Sequence, residues 1–256
     1  MQPKGVELIL TSMKSLLFPA LAALLLAGCA PTIAPHVPYL PLLRHKGQAE
    51  ARATVGLLGK KAEFQLGYQV TDRLVLHTAL FRYGPLPNGE GFRSGEVGAG
   101  YYRPIANDRW RLGLHAGLAT GRGASGERFC HGCDGPNPEY SVGYTYAYLQ
   151  PTALLQAKKL TIGLGLRLAQ ARYHRLIESQ FVFSGSQPPP VSYASHYSAF
   201  AQPVAQLSYR VLPWLALSGA GGLQFLLSEY HRFDSIDPVV GQVGLHVLLG
   251  PRPGQP

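Results

Sequence analysis

The stretch Leu160-Thr161-Ile162-Gly163-Leu164-Gly165-Leu166-Arg167-Leu168-Ala169 changes character at every residue. Leu160, Ile162, Leu164, Leu166 and Leu168 fall on one face. Thr161, Gly163, Gly165, Arg167 and Ala169 fall on the other. Apolar residues recurring at 180° per residue mark a β-strand, and each interior glycine would weaken a helix by about 1 kcal/mol. The same rhythm sets Trp110, Leu112, Leu114, Ala116 and Leu118 against Arg111, Gly113, His115, Gly117 and Ala119. It returns with Val239, Val243, Leu245, Val247 and Leu249 against Gln242, Gly244 and His246.

Carried along the chain, this period predicts ten strands near 47–56, 62–70, 73–83, 94–103, 109–119, 141–157, 159–172, 195–210, 213–228 and 239–249. Their connections alternate between short turns and mostly longer loops. Short turns at one end and longer loops at the other describe an outer-membrane barrel. The expected fold is therefore all-β: an antiparallel up-and-down transmembrane β-barrel of about ten strands, within a range of 8–12. The apolar faces would meet lipid and the polar faces the lumen. Tyr101, Tyr102, Trp110, Tyr140, Tyr144, Tyr146, Tyr209, Trp214 and Tyr230 fall near strand ends, where interfacial girdles form. The alternative is a soluble periplasmic lipocalin-like barrel with its faces reversed. Against it, the polar face is rich in Gly, Ala and Ser, whereas a water-facing surface is about 25–35% charged.

Composition agrees with a barrel. Charged residues make up 14% of the chain, with 30 Gly and 21 Pro. Helical bundles and coiled coils are rich in Ala, Glu, Lys and Leu, and disorder needs low hydrophobicity with high charge. The formal charge of +9 is spread without a long basic block, so no nucleic-acid partner is expected.

Met13-Lys14 opens an apolar run from Ser15 to Ala27, too short to span a bilayer, which needs about 20 residues. A basic start, an apolar run and small residues at its end define an export signal. The run stops at Leu26-Ala27-Gly28-Cys29, which resembles the lipobox of bacterial lipoproteins. That resemblance implies cleavage between Gly28 and Cys29 and lipidation of Cys29, with a thioether-linked diacylglycerol and an N-acyl chain such as palmitate. The division expected is a signal peptide over 1–28 (translation starting at Met13), a Pro-rich lipidated tether over 29–46, a barrel over 47–250 and a disordered tail over 251–256. An even strand count puts both termini on the periplasmic side.

Cys29-Ala-Pro-Thr and Pro41-Leu-Leu-Arg-His-Lys46-Gly47-Gln-Ala49, followed by Tyr68-Gln-Val-Thr-Asp72 and Gly95-Glu96-Val-Gly-Ala-Gly100-Tyr-Tyr-Arg-Pro104, resemble small outer-membrane β-barrel lipoproteins of Bacteroidota. The resemblance covers residues 29–120 and implies an architecture in a Gram-negative envelope, with no chemistry attached. The last strand departs from many such barrels, ending at Leu249-Gly250 without a terminal aromatic.

Several clusters invite chemistry. Gly121-Arg-Gly123-Ala-Ser-Gly126 has the dinucleotide-binding spacing, but that fingerprint needs a following helix, and Phe129-Cys-His-Gly-Cys-Asp-Gly-Pro136 is not one. An outer loop is expected there, with no cofactor. Cys130 and Cys133 lie close together in an oxidising exterior and read as a disulfide rather than a metal site. His196 and Ser198 share a strand face, the minimum for nucleophilic acyl transfer. Their spacing resembles that of outer-membrane lipid A deacylases, so an outer-leaflet lipid A hydrolase stands as an alternative to a non-catalytic barrel. The expected lumen face carries Glu50, Arg52, Glu63, Gln65, His77, Glu96, Arg111, His115, Arg167, Gln202, Gln206, Gln224, Gln242 and His246. These form either a solute path or a self-satisfying polar plug, and ten strands lie nearer the filled end of barrel sizes. Arg82, Arg93, Arg122, Arg128, Arg172, Arg175 and Arg232 fall at or beyond outer strand ends, where guanidinium forks suit lipopolysaccharide phosphates. The reading is a monomeric, non-catalytic, lipid-anchored outer-membrane barrel acting in envelope integrity or surface interaction, with outer-membrane lipids as partners.

Overall fold

A computed structural model describes residues 36–57, 61–84, 91–105, 109–126, 137–181, 188–193, 195–228 and 239–251. The strands are β1 (Ala49–Gly56), β2 (Lys61–Gln69), β3 (Leu74–Tyr83), β4 (Gly91–Ile105), β5 (Trp110–Gly126), β6 (Asn137–Gln156), β7 (Leu160–Phe181), β8 (Val191–Tyr193), β9 (His196–Leu212), β10 (Leu215–Leu223), β11 (Phe225–Leu226) and β12 (Val239–Leu249). Neighbours pair antiparallel from β1 through β7. Then β7 pairs with β9, β9 with β10, β10 with β12, and β12 closes on β1. The short β8 and β11 lie on the outer ends of β7 and β9. The result is a closed ten-strand barrel.

Closure carries a stagger. From Thr54, cross-strand partners run through Glu63, Phe81, Ser94, Gly121 and Tyr144 to Tyr173 on β7. In the other direction they run through Gly244, Ser218 and Ser208 to Thr161 on the same strand, twelve residues away. Such a shear is what tilts barrel strands against the axis.

The outward face is apolar: Leu80 is 62% exposed, Leu118 57% and Leu164 52%. The inward face buries Glu50, Arg52, Glu63, Glu96, Arg111, His115, Arg167, Gln242 and His246. A lipocalin-like barrel requires the opposite arrangement, and that alternative is overturned.

Three features depart from the sequence reading. First, Tyr102, Tyr140, Tyr144 and Tyr146 point into the lumen, not to an interface. The exposed girdle at the short-turn end consists of Tyr68, Tyr101, Trp110, Tyr209 and Trp214. Glycines admit the inward aromatics. A Cβ at Gly121 would lie 2.4 Å from the Tyr144 ring, and one at Gly123 would lie 2.2 Å from Phe92.

Second, those glycines belong to β5, which continues to Gly126, so Gly121–Gly126 is strand and not loop. β6 and β7 likewise run past the expected bounds, to Asn137 and Phe181; in the added part of β7, Tyr173, Leu176 and Glu178 are buried while His174 and Arg175 are exposed, so polarity does not mark the faces.

Third, residues 36–43 of the expected tether are buried inside the barrel. Val37, Tyr39, Leu40 and Leu43 form an apolar cluster with Val75, Tyr102, Leu154, Val204, Ala220 and Val240 of the wall. The prolines keep the segment extended, but its apolar side chains drive it out of water. A second cluster, including Phe81, Phe92, Tyr144, Tyr146, Tyr173 and Phe200, fills the lumen nearer the loop end.

Candidate functional site

The lumen holds the chemistry, and the segment 36–43 is its centre. Its backbone has no sheet partner, so wall side chains satisfy it, as buried backbone groups require. Val37 N–H donates to Glu63 Oε2 at 3.1 Å, and Leu42 N–H donates to Glu50 Oε2 at 2.9 Å. Its carbonyls accept from Gln202 (at His36, 3.0 Å), Gln65 (at Val37, 2.8 Å), Gln150 (at Tyr39, 2.9 Å), Gln206 (at Leu40, 3.2 Å) and Arg111 (at Leu43, 2.5 Å). Gln65, Gln202 and Gln206 were on the expected lumen face, whereas Gln150, which holds Tyr39, was not among the residues the sequence reading placed there. The plug they hold was expected outside. The segment descends from the level of Ser94 and Glu63 at His36 to the short-turn rim at Leu43, where Arg111 holds it.

Two Ser–His–Glu chains result. Ser94 Oγ lies 2.7 Å from His36 Nε2, and His36 Nδ1 lies 3.1 Å from Glu63 Oε1. Ser218 Oγ lies 2.7 Å from His246 Nε2, and His246 Nδ1 meets Glu50. Hydroxyl, imidazole and carboxylate in this order form the relay of nucleophilic hydrolases. Here both imidazoles are fully buried and both serines nearly so. Glu63 also accepts from Gln65 at 2.8 Å and Gln242 at 3.0 Å, so its lone pairs are committed.

Between these chains, Arg167 forms a bidentate pair with Glu96 at 2.7 and 2.9 Å, spanning from β7 to β4. Gln150 accepts from the same guanidinium at 2.9 Å, Tyr146 donates to Glu96 at 3.1 Å, and the guanidinium lies 4.1 Å from the Tyr148 ring centroid. Arg52 donates to Gln206 at 2.7 Å, Gln242 accepts from Thr54 at 2.6 Å, and His115 meets Tyr102. Lumen charges are thus paired or hydrogen-bonded, which buried ions need.

His196 and Ser198 stand two residues apart at the start of β9. Ser198 is buried with its Oγ 3.3 Å from Ser228 Oγ, and the His196 ring stacks on Tyr173 at 5.9 Å. Gly28, Cys29, Cys130 and Cys133 lie outside the described residues, as do Arg128, Tyr230 and Arg232.

No protein-family model matches the chain, and no curated protein matches it. Solved structures do resemble it. The outer-membrane protease OmpT of Escherichia coli aligns over 79% of this chain and 93% of its own, with a TM-score of 0.52 and 10% identity. The translocator domain of the autotransporter NalP of Neisseria meningitidis covers 78% of this chain and 86% of its own, with a TM-score of 0.40 and 13% identity. The N-terminal barrel of OprF of Pseudomonas aeruginosa covers 79% and 96%, with a TM-score of 0.35 and 12% identity. At 10% identity the likeness to OmpT concerns fold alone, and that fold is the outer-membrane β-barrel.

Proposed function

We propose that this chain is a plugged, non-conducting outer-membrane barrel, anchored by a lipid on Cys29, that works through its lipid-facing and loop surfaces rather than by transport or catalysis. This is the role of an envelope-integrity or surface-interaction protein. The observation that carries it is the burial of residues 36–43 along the lumen, tied to the wall by side chains from strands all round the barrel. Planar-bilayer recording tests the plug: the full chain is expected to give no conductance steps, and discrete steps from it would overturn the reading.

A second reading rests on the Ser94–His36–Glu63 chain, whose order is that of a hydrolase acting on lipid esters. Incubating the purified barrel with outer-membrane phospholipid and with lipid A separates the two. No fatty-acid release favours the non-catalytic role. Release that disappears in Ser94→Ala would establish the enzyme.

A further inference from the structure

Arg82 on β3 and Arg93 on β4 are direct cross-strand partners, and Arg93 is in turn the partner of Arg122 on β5. The row continues through Gly143 on β6 to Arg175 on β7. All four arginines are exposed. Adjacent strands lie about 4.8 Å apart, so the first three guanidinium stems stand side by side. Like charges directly opposite destabilise a sheet. Among the described residues, no carboxylate pairs with any of the four. A row of this kind is stable where an anion bridges it.

Its height is informative. On β4, Arg93 and Arg103 are both exposed, and the outward residues between them are Gly95, Val97, Ala99 and Tyr101. Ten residues of strand tilted by about 40° rise about 25 Å, the height of a barrel's apolar band. Arg93 therefore stands where outer-leaflet headgroups meet acyl chains, and the stagger of the sheet carries its cross-strand partners a few Å lower on β3 and higher on β5 and β7.

Two hollows meet at this row. Below it runs a trough of about 1480 Å³, walled largely by outward apolar side chains such as Val55, Phe64, Leu80, Leu217, Val243 and Leu245. Above it lies a hollow of about 500 Å³ that includes Ser141 and Arg175. Arg82, Arg93, Arg122 and His174 line both. Apolar space on one side, guanidinium groups in the middle and polar space on the other match an amphiphile with a phosphate at its waist.

We propose that Arg82, Arg93, Arg122 and Arg175 form a binding site for a phosphorylated lipid of the outer leaflet. Its acyl chains lie in the trough and its phosphate bridges neighbouring guanidinium forks. Such forks hold phosphate oxygens bidentately, which a point-charge lysine does not. This deepens the reading of the chain as an outer-membrane barrel and rests on it.

The test uses the full chain refolded in detergent and measured by native mass spectrometry with bisphosphorylated lipid A, the same lipid dephosphorylated, and inorganic phosphate as competitor. The wild type is expected to retain the phosphorylated lipid at least tenfold better than the dephosphorylated one. Arg93→Gln/Arg122→Gln is expected to lose that preference, while Arg103→Gln at the opposite rim keeps it. Equal retention of both lipids, or unchanged preference in the double variant, overturns the proposal. So does complete displacement by millimolar inorganic phosphate, which would mark a site for the free anion. A heat-dependent gel shift of each variant reports the barrel separately, so loss of the shift in the wild type would count against the fold reading and not against the arginine row alone.

Discussion

The carboxylate of Glu63 on β2 stands 3.1 Å from Nδ1 of His36, and its second oxygen accepts the backbone N–H of Val37. One wall residue thus grips two successive residues of the plug, and Ser94 closes the far side of the imidazole at 2.7 Å. The pair joins a segment with no secondary structure to a strand 27 positions away, so the plug is part of the folded core.

Glu63→Gln tests that grip. An amide cannot accept all four of the bonds the carboxylate receives, and removing one partner from a buried charged network costs about 3–5 kcal/mol. The expected outcome is a lower midpoint in urea unfolding of the refolded barrel, with the closed-barrel gel mobility retained at low denaturant. Glu63→Asp should recover part of the loss.

Gly67 and Tyr39 should be coupled. A Cβ at Gly67 would lie 1.7 Å from the Tyr39 hydroxyl, so Gly67→Ala must displace the plug. Overpacking of this kind costs about 1–3 kcal/mol. Tyr39→Ala combined with Gly67→Ala should be less destabilised than the sum of the two single changes, as measured by denaturant midpoints. By contrast, a Cβ at Gly219 meets nothing within 4 Å, and Gly219→Ala should be close to neutral.

The Glu96–Arg167 pair predicts strong non-additivity. Each residue alone leaves the other charge buried and unpaired, at about 3–5 kcal/mol. The double change Glu96→Gln/Arg167→Gln leaves no orphan charge, so a double-mutant cycle should return a coupling energy of several kcal/mol. Additive losses would show that water solvates the pair.

Leu118 faces outward near mid-height and is 57% exposed. If lipid covers it, Leu118→Arg should oppose insertion by about 2–4 kcal/mol, the cost of a cation at the bilayer midplane of a barrel. Folding yield into phospholipid vesicles measures this. Ala53→Leu, which adds apolar surface to the same face, should fold as well as the wild type.

Much of this protein follows from local sequence. Strand existence, number and phase came from alternation, because a pleated strand places successive side chains on opposite faces whatever it pairs with. The lumen residues Glu50, Glu63, Glu96, Arg167 and His246 followed from the same phase. The outer end of β5 did not, since Gly121 and Gly123 carry no polarity to read, and their inward placement has meaning only against Tyr144 and Phe92 of the neighbouring strands. The plug was illegible for a different reason. Val37, Tyr39, Leu40 and Leu43 have no period, and four prolines between 31 and 41 signal an extended chain without saying where it lies. Only closure of the barrel makes a lumen for that chain to fill. Only the register of β3, β4 and β5 turns Arg82, Arg93 and Arg122, scattered over forty residues of sequence, into neighbours. Local alternation determined the wall, whereas long-range hydrogen-bond register decided what the wall encloses and what it presents to lipid.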